Sequence, residues 1–274
     1  QDPKLGERWL KHVDDVMSYT FKYALEYTLS NAMAGDNTLD ASNSSKVPAA
    51  LPVFVGGFST GGTLATWYAL KHPENVAGIL LFSAALELPS SAETMSRIWG
   101  IKSVAAWLDG VYEAKGAHPY KYPTIASYSA LILMDIVKEL RIYLDEGLNK
   151  ETVMMPIFAA HSLADKITMF SGIENLLAKV AGNHMLFQID EEYDLCHQDL
   201  PMSNIQLIGL NFDRTQVNQL ERCAIPKPNP LHQQMMSMAN LFISQRIAEI
   251  TPREAEIIQR ATELSDETTN TKNK

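Results

Sequence analysis

The chain has 274 residues, of which 46% are apolar and 20% charged, and 23 Lys and Arg against 32 Asp and Glu give a formal charge of −9. A chain of this length buries roughly 75% of its unfolded surface, enough for one full core, which argues against disorder. The acidic balance leaves no surplus cation to displace counterions from a phosphate backbone, which argues against a nucleic-acid partner. No stretch reaches the ~18 apolar residues of a membrane helix, so no transmembrane segment is expected and a soluble, cytoplasmic protein is favoured. Two cysteines exclude a disulfide scaffold and a four-cysteine zinc site. Gln1 is followed by Asp-Pro rather than by a basic stretch and an apolar run, so no signal peptide is visible.

Residues Leu5 to Ala34 set Trp9, Leu10, Val13, Val16, Met17, Phe21, Ala24 and Leu25 on a helical period, with Gly35 placed to cap the end. The Asp-, Asn- and Ser-rich residues Asp36 to Lys46, with Pro48 after them, predict a surface loop. Leu51 to Val55 predicts a short buried strand, Thr63 to Lys71 a helix stopped by Pro73, and Val76 to Phe82 a second buried strand. From about Leu88 to Thr152 the pattern is mostly helical. It opens on the capping-box sequence Ser90-Ser91-Ala92-Glu93 and includes Leu131, Leu133, Ile136, Leu140 and Tyr143 between Ala126 and Leu148. A third strand is predicted at Pro156 to Ala160, a helix at Asn175 to Ala181 and a fourth strand at Met185 to Ile189. A Met-rich helix, Leu231 to Ile250, and a further helix capped by Thr251-Pro252-Arg253-Glu254 precede a polar tail from Ser265. Strands alternating with helices in this order predict a parallel sheet with right-handed crossovers in a single α/β domain spanning 1–274.

The chemistry begins at Gly57-Phe58-Ser59-Thr60-Gly61-Gly62, between a predicted strand and a predicted helix. A G-x-S-x-G sequence alone is weak. In that context it is the sharp strand-to-helix turn that pushes a serine hydroxyl into the open, with glycines where a side chain would clash. The Thr60 N–H then lies at a helix N-terminus, where it can stabilise an oxyanion.

A nucleophilic serine needs a base, and the base needs an acid to orient it. Asp165 follows the third strand by a short loop, and catalytic groups collect at the carboxyl ends of parallel strands. The base is expected after the last strand, which selects His197. His184 falls at the start of a strand, His232 within the late helix, and His161 reads as a core or supporting histidine near Asp165.

On these residues the chain resembles the α/β-hydrolase family, and within it the carboxylesterase and monoacylglycerol lipase branch. The resemblance runs through Gly57 to Gly62, Pro156 to Thr168 and the insert His118-Pro119-Tyr120-Lys121-Tyr122-Pro123, covering most of Leu51 to about Pro201. It implies Ser59 as nucleophile, Asp165 as acid, His197 as base, and a helical cap from about 88 to 152 over an acyl pocket. Three features depart from the family pattern. Ser162 stands where glycine is usual before the acid, and the residues after His197 are not the usual ones. Residues 1–50 hold one long helix and a loop, where the family places several strands and a His-Gly-type loop with the second oxyanion N–H.

The expected function is therefore serine hydrolysis of carboxylic esters on small-molecule or lipid substrates, without metal or organic cofactor. An acyltransferase or thioesterase is the alternative among enzymes, and a non-catalytic interaction module of the same fold the alternative outside them. A strand as apolar as Val53 to Val55 makes a poor free edge, so a companion N-terminal segment of the same protein is expected to supply the first strands. Met235, Met236, Met238, Leu241 and Phe242 read as core at helical spacing. Cys196 and Cys223 read equally as a disulfide or as two thiols. Asp190 to Asp194 lacks ligand spacing and reads as a solvated loop.

Overall fold

The computed structural model describes residues 8–34, 52–91, 94, 101, 127–147, 154–213, 215 and 222–250. Its centre is a four-stranded sheet formed by β1 (Phe54–Phe58), β2 (Gly78–Phe82), β3 (Ile157–Ser162) and β4 (Met185–Ile189), in the order β1-β2-β3-β4. All three pairings are parallel: Phe54 lies opposite Gly78, Ile79 opposite Ile157, and Phe158 opposite Met185. Parallel neighbours require crossovers, and helices α1 (Trp9–Ala34), α2 (Thr60–Lys71), α3 (Ser127–Ile142) and α4 (Phe170–Lys179) lie between or before the strands. A short helix α5 (Asn204–Leu210) and a long helix α6 (232–250) follow the sheet.

The pleat of β3 divides the core. Ile157 and Ala159 face one side, with Ile79, Leu81, Ala65, Ala69 and Leu70 of α2, and Ile173 and Leu176 of α4. Phe158 and Ala160 face the other, with Ile189 and with Met235, Ala239 and Phe242 of α6. All six β3 residues are buried, so this strand needs apolar or fully hydrogen-bonded side chains throughout. The C-terminal half of α3 also belongs to this layer, with Leu140 in the core and the Tyr143 hydroxyl donating to the Leu70 carbonyl at 3.2 Å.

Several boundaries differ from the pattern expected of the sequence. β1 runs to Phe58 rather than ending at Val55, because the glycines continue the strand: a Cβ on Gly56 would sit 2.6 Å from the Leu80 carbonyl oxygen. α2 starts at Thr60 rather than Thr63, immediately beyond the turn. β3 includes His161 and Ser162, and α4 starts at Phe170 rather than Asn175. Met235 is buried as expected, whereas Met236 is 45% exposed. Most of the expected cap at 88–152, with the sequence His118 to Pro123, lies outside the described residues, as do the loop after Gly35 and everything from Thr251 onward. Among the described residues no helix is long and apolar enough to cross a membrane.

Candidate active site

Parallel pairing sends the carboxyl ends of β1, β3 and β4 to the same edge of the sheet, and these ends carry Ser59, Asp165 and His197. Ser59 has φ 54° and ψ −124°, a conformation a non-glycine residue adopts only when its surroundings enforce it. The enforcing contacts are specific. The Ser59 N–H donates to the Phe82 carbonyl at 3.1 Å, and its own carbonyl accepts from Gly62, Thr63 and Ala85. Side chains would break this turn: a Cβ on Gly57 would lie 2.2 Å from the Gly61 carbonyl carbon, and one on Gly62 2.5 Å from the Ala84 Cβ. The N–H groups of Gly62 and Thr63 are thus occupied. Those of Thr60 and Gly61, the first two of α2, have no carbonyl partner among the described residues and are free to meet an anion.

Asp165 is buried, and its Oδ2 lies 2.7 Å from Nδ1 of His197. The rest of the carboxylate is also engaged. Oδ1 accepts from the N–H of Ile167 at 2.8 Å and of Thr168 at 3.2 Å, while the Thr168 hydroxyl donates to Oδ2 at 2.8 Å. Burial alone would push this carboxyl up. The bond and charge of His197, helped by Ile167 and Thr168, outweigh it and hold the group at about 2. Asp165 therefore stays ionised and fixes the imidazole through Nδ1, leaving Nε2 directed elsewhere. The ring of Phe58, next to Ser59, packs on the His197 imidazole with centroids 4.6 Å apart.

The other histidines weighed as base, His184, His232 and His161, lie outside this hydrogen-bonded pair. His184 bonds through Nε2 to the Val180 carbonyl at 2.8 Å, and His232 begins α6. His161 is fully buried against Phe170, and neither ring nitrogen has a hydrogen-bond partner among the described residues. Burial holds its pKa below the ordinary imidazole value, so it is neutral.

Two supporting residues carry no clear motif. Thr168 satisfies Asp165, and Ser162 joins two loops, its hydroxyl donating to the Leu195 carbonyl at 3.0 Å and accepting from the Ala164 N–H at 3.2 Å. The serine found in place of the usual glycine is thus a cross-link. A polar residue at the end of a buried strand was the only available signal for it. Cys196 and Cys223 form a disulfide. The loop at Asp190 to Asp194 is exposed throughout, as expected, and its Asp194 pairs with two cations, Arg222 and Lys227. Among the described residues no group of His, Cys, Asp and Glu could hold a metal ion.

A parallel sheet covered by helices on both faces, with this turn and this pair of loops at its carboxyl edge, is the α/β-hydrolase fold. The chain belongs to the hydrolase family described as serine aminopeptidase, S33, whose model matches residues 36–194, more than half its length. Among solved structures it is similar to the metagenome-derived lipolytic enzymes LipS and LipT (21% identity, 60% of this chain and 65% of that one, TM-score 0.40). It is also similar to a monoacylglycerol lipase from Paleococcus ferrophilus (14% identity, 70% and 68%, TM-score 0.43). A third is a soluble variant of the Saccharomyces cerevisiae monoglyceride lipase (17% identity, 65% and 59%, TM-score 0.40). The chain thus spans less than two thirds of the first and third of these proteins. No curated protein matches the sequence.

Proposed function

We propose that the protein is a serine hydrolase of carboxylic esters, acting through an acyl-enzyme on Ser59. His197 takes the Ser59 proton as the hydroxyl attacks the ester carbonyl. Asp165 holds the imidazole in the tautomer with its proton on Nδ1 and stabilises the imidazolium that forms. The N–H groups of Thr60 and Gly61 lie at the N-terminus of α2, where they favour the tetrahedral oxyanion. His197 returns the proton to the leaving alcohol, then activates water to release the acid. The observation that carries this reading is the 2.7 Å Asp165–His197 bond, positioned against the residue preceding Ser59. Its test is turnover of p-nitrophenyl esters beside amino-acid anilides, the substrate class suggested by the family's aminopeptidase description. Ester turnover abolished by Ser59→Ala supports the reading; hydrolysis of anilides alone contradicts the ester assignment.

α3 belongs to the core layer, so the part of the expected 88–152 cap that precedes α3 is assigned to the acyl group. An enclosed apolar pocket gains about 0.8 kcal/mol per buried methylene until it is full, so rates rise with chain length to an optimum. A flat response from acetate to decanoate removes the cap from this role.

We also infer that the edge of β1, which pairs with no strand among the described residues, is paired in the whole protein by a strand of a companion N-terminal segment. The support is an apolar groove of about 470 Å³ beside that edge, lined by Trp9, Val13, Val16, Leu64 and Tyr68 among others. Intact mass and a denaturing gel on material from its source test this. A single active species of this chain alone contradicts it.

A further inference from the structure

His197 sits in a loop that regular secondary structure does little to hold. Between β4 and α5 the chain forms two short 3₁₀ turns, Glu191–Tyr193 and His197–Asp199. A hydrogen bond of 2.7 Å from such a loop to Asp165 needs other restraints. Ser162 holds the loop at Leu195 and Lys166 pairs with Glu191, but the contacts on either side of His197 come from the strap 222–229, which has no helix or strand of its own.

Starting at its first residue, one Arg222 nitrogen, Nη2, donates to the Ala164 carbonyl at 3.3 Å and to Asp194 Oδ1 at 2.8 Å. It therefore ties the residue before Asp165 to the loop that carries His197. Cys223 is disulfide-bonded to Cys196, the residue before His197, and its carbonyl accepts from Gln198, the residue after, at 2.7 Å. Lys227 pairs through Nζ with Asp194 at 2.7 Å and donates its backbone N–H to Asp199 Oδ1 at 3.0 Å. The other oxygen of the fully buried Asp199 accepts the N–H of Cys196 at 3.0 Å. Asn229 closes the set, donating from its side chain to the Leu200 carbonyl at 2.9 Å and from its backbone to the Met202 carbonyl at 2.8 Å. These contacts bracket His197 on both sides and reach the neighbour of Asp165.

We propose that the strap 222–229, anchored by Arg222 and the Cys196–Cys223 disulfide, is a positioning device that keeps His197 in hydrogen-bond register with Asp165. None of its residues touches the reacting atoms; they act through His197. A merely structural role would stabilise the fold and leave the imidazole–carboxylate bond unchanged. A positioning role shows in that bond first. The kinetic consequence rests on the esterase reading, whereas the state of the bond does not.

The test compares Arg222→Ala, and Cys196→Ser with Cys223→Ser, against the wild type. One readout is the far-downfield proton resonance of a ring N–H bonded to a carboxylate; the other is kcat and KM on p-nitrophenyl butyrate. Far-UV circular dichroism establishes that each variant is folded at the assay temperature. Arg222 is 48% exposed, so its replacement leaves the core intact, and it decides alone if the double variant does not fold. The expected result is loss of the downfield resonance to exchange, with kcat lower by about 10- to 100-fold and KM little changed. Folded variants that keep the wild-type resonance overturn the proposal. A wild type inert on every ester, whose resonance still depends on Arg222, refutes the esterase reading and leaves the strap supported.

Discussion

The two edges of the sheet are built differently. At the β3–β4 edge, the buried β3 and the half-exposed β4 lead into loops joined by a disulfide, ion pairs and hydrogen bonds from Ser162 and Arg222. At the β1 edge, α1 packs on α2, with Phe21 stacked on Tyr68 and Val13 and Met17 partly buried, while Val16 (61%) and Tyr23 (60%) remain exposed. The difference separates two requirements of one site. Asp165 and His197, the proposed acid and base, need a fixed mutual distance and have it from within the described chain. The serine turn lies where the well-packed half meets the half with the apolar groove, and its shape depends on glycine contacts instead.

Removing the base should have the largest effect. His197→Ala is expected to lower kcat by about 10⁴- to 10⁶-fold, as members of such a unit fail together. His161→Ala and His184→Ala, outside the hydrogen-bonded pair, should cost far less. Steady-state rates on one ester compare all three. Near-normal turnover in His197→Ala with loss in His184→Ala would reassign the base.

The turn offers a sharper contrast between neighbouring glycines. Gly57→Ala forces a methyl to 2.2 Å from backbone and should destabilise by about 3 kcal/mol, with loss of activity. Gly61→Ala meets no atom within 4 Å and replaces glycine within a helix, so it should stabilise by about 0.5–1 kcal/mol. Urea midpoints read both. Equal effects would mean that the turn is not held by backbone contact.

Acid should affect the well-packed half in two steps. His161, neutral by burial, binds its proton less well folded than unfolded, so stability is full above the ordinary value of 6.5 and falls below it. The slope is at most about 1.4 kcal/mol per pH unit for one proton. Asp165, held at about 2 against an ordinary 3.8, contributes stability present above 3.8 and lost as the pH falls toward 2. Unfolding midpoints measured against pH should lose the upper step in His161→Phe and keep the lower one. An unchanged profile would show that His161 titrates normally.

The smallest effect belongs to the exposed face of α1, where Val16→Ser should change stability by no more than about 0.5 kcal/mol in this chain. A larger loss in the melting curve would mean that this face is already covered.

Much of this arrangement is legible in the sequence, for identifiable reasons. The parallel sheet follows from apolar runs alternating with helical segments, and Ser59, Asp165 and His197 follow from chain order at strand ends. The extension of β1 through Gly56 and Gly57 is hidden, because glycine reads as a turn signal whether it breaks a strand or only lets a neighbouring carbonyl approach. The extension of β3 through His161 and Ser162 is likewise hidden by polar residues at the end of an apolar run, although His161 reads as a core histidine and both are buried. α4 begins early because Gly172, which reads as a loop, gives room to the Glu87 N–H, 2.7 Å from where a Cβ would stand. The strap has neither apolar period nor motif, and two cysteines 27 residues apart carry no pairing information by themselves.

The most direct measurement is the site of covalent capture. A fluorophosphonate probe should add one adduct to the active protein, and peptide mapping should place it on Ser59, with labelling lost in both Ser59→Ala and His197→Ala. An adduct on another serine, or labelling that survives His197→Ala at the wild-type rate, would contradict the assignment of nucleophile and base.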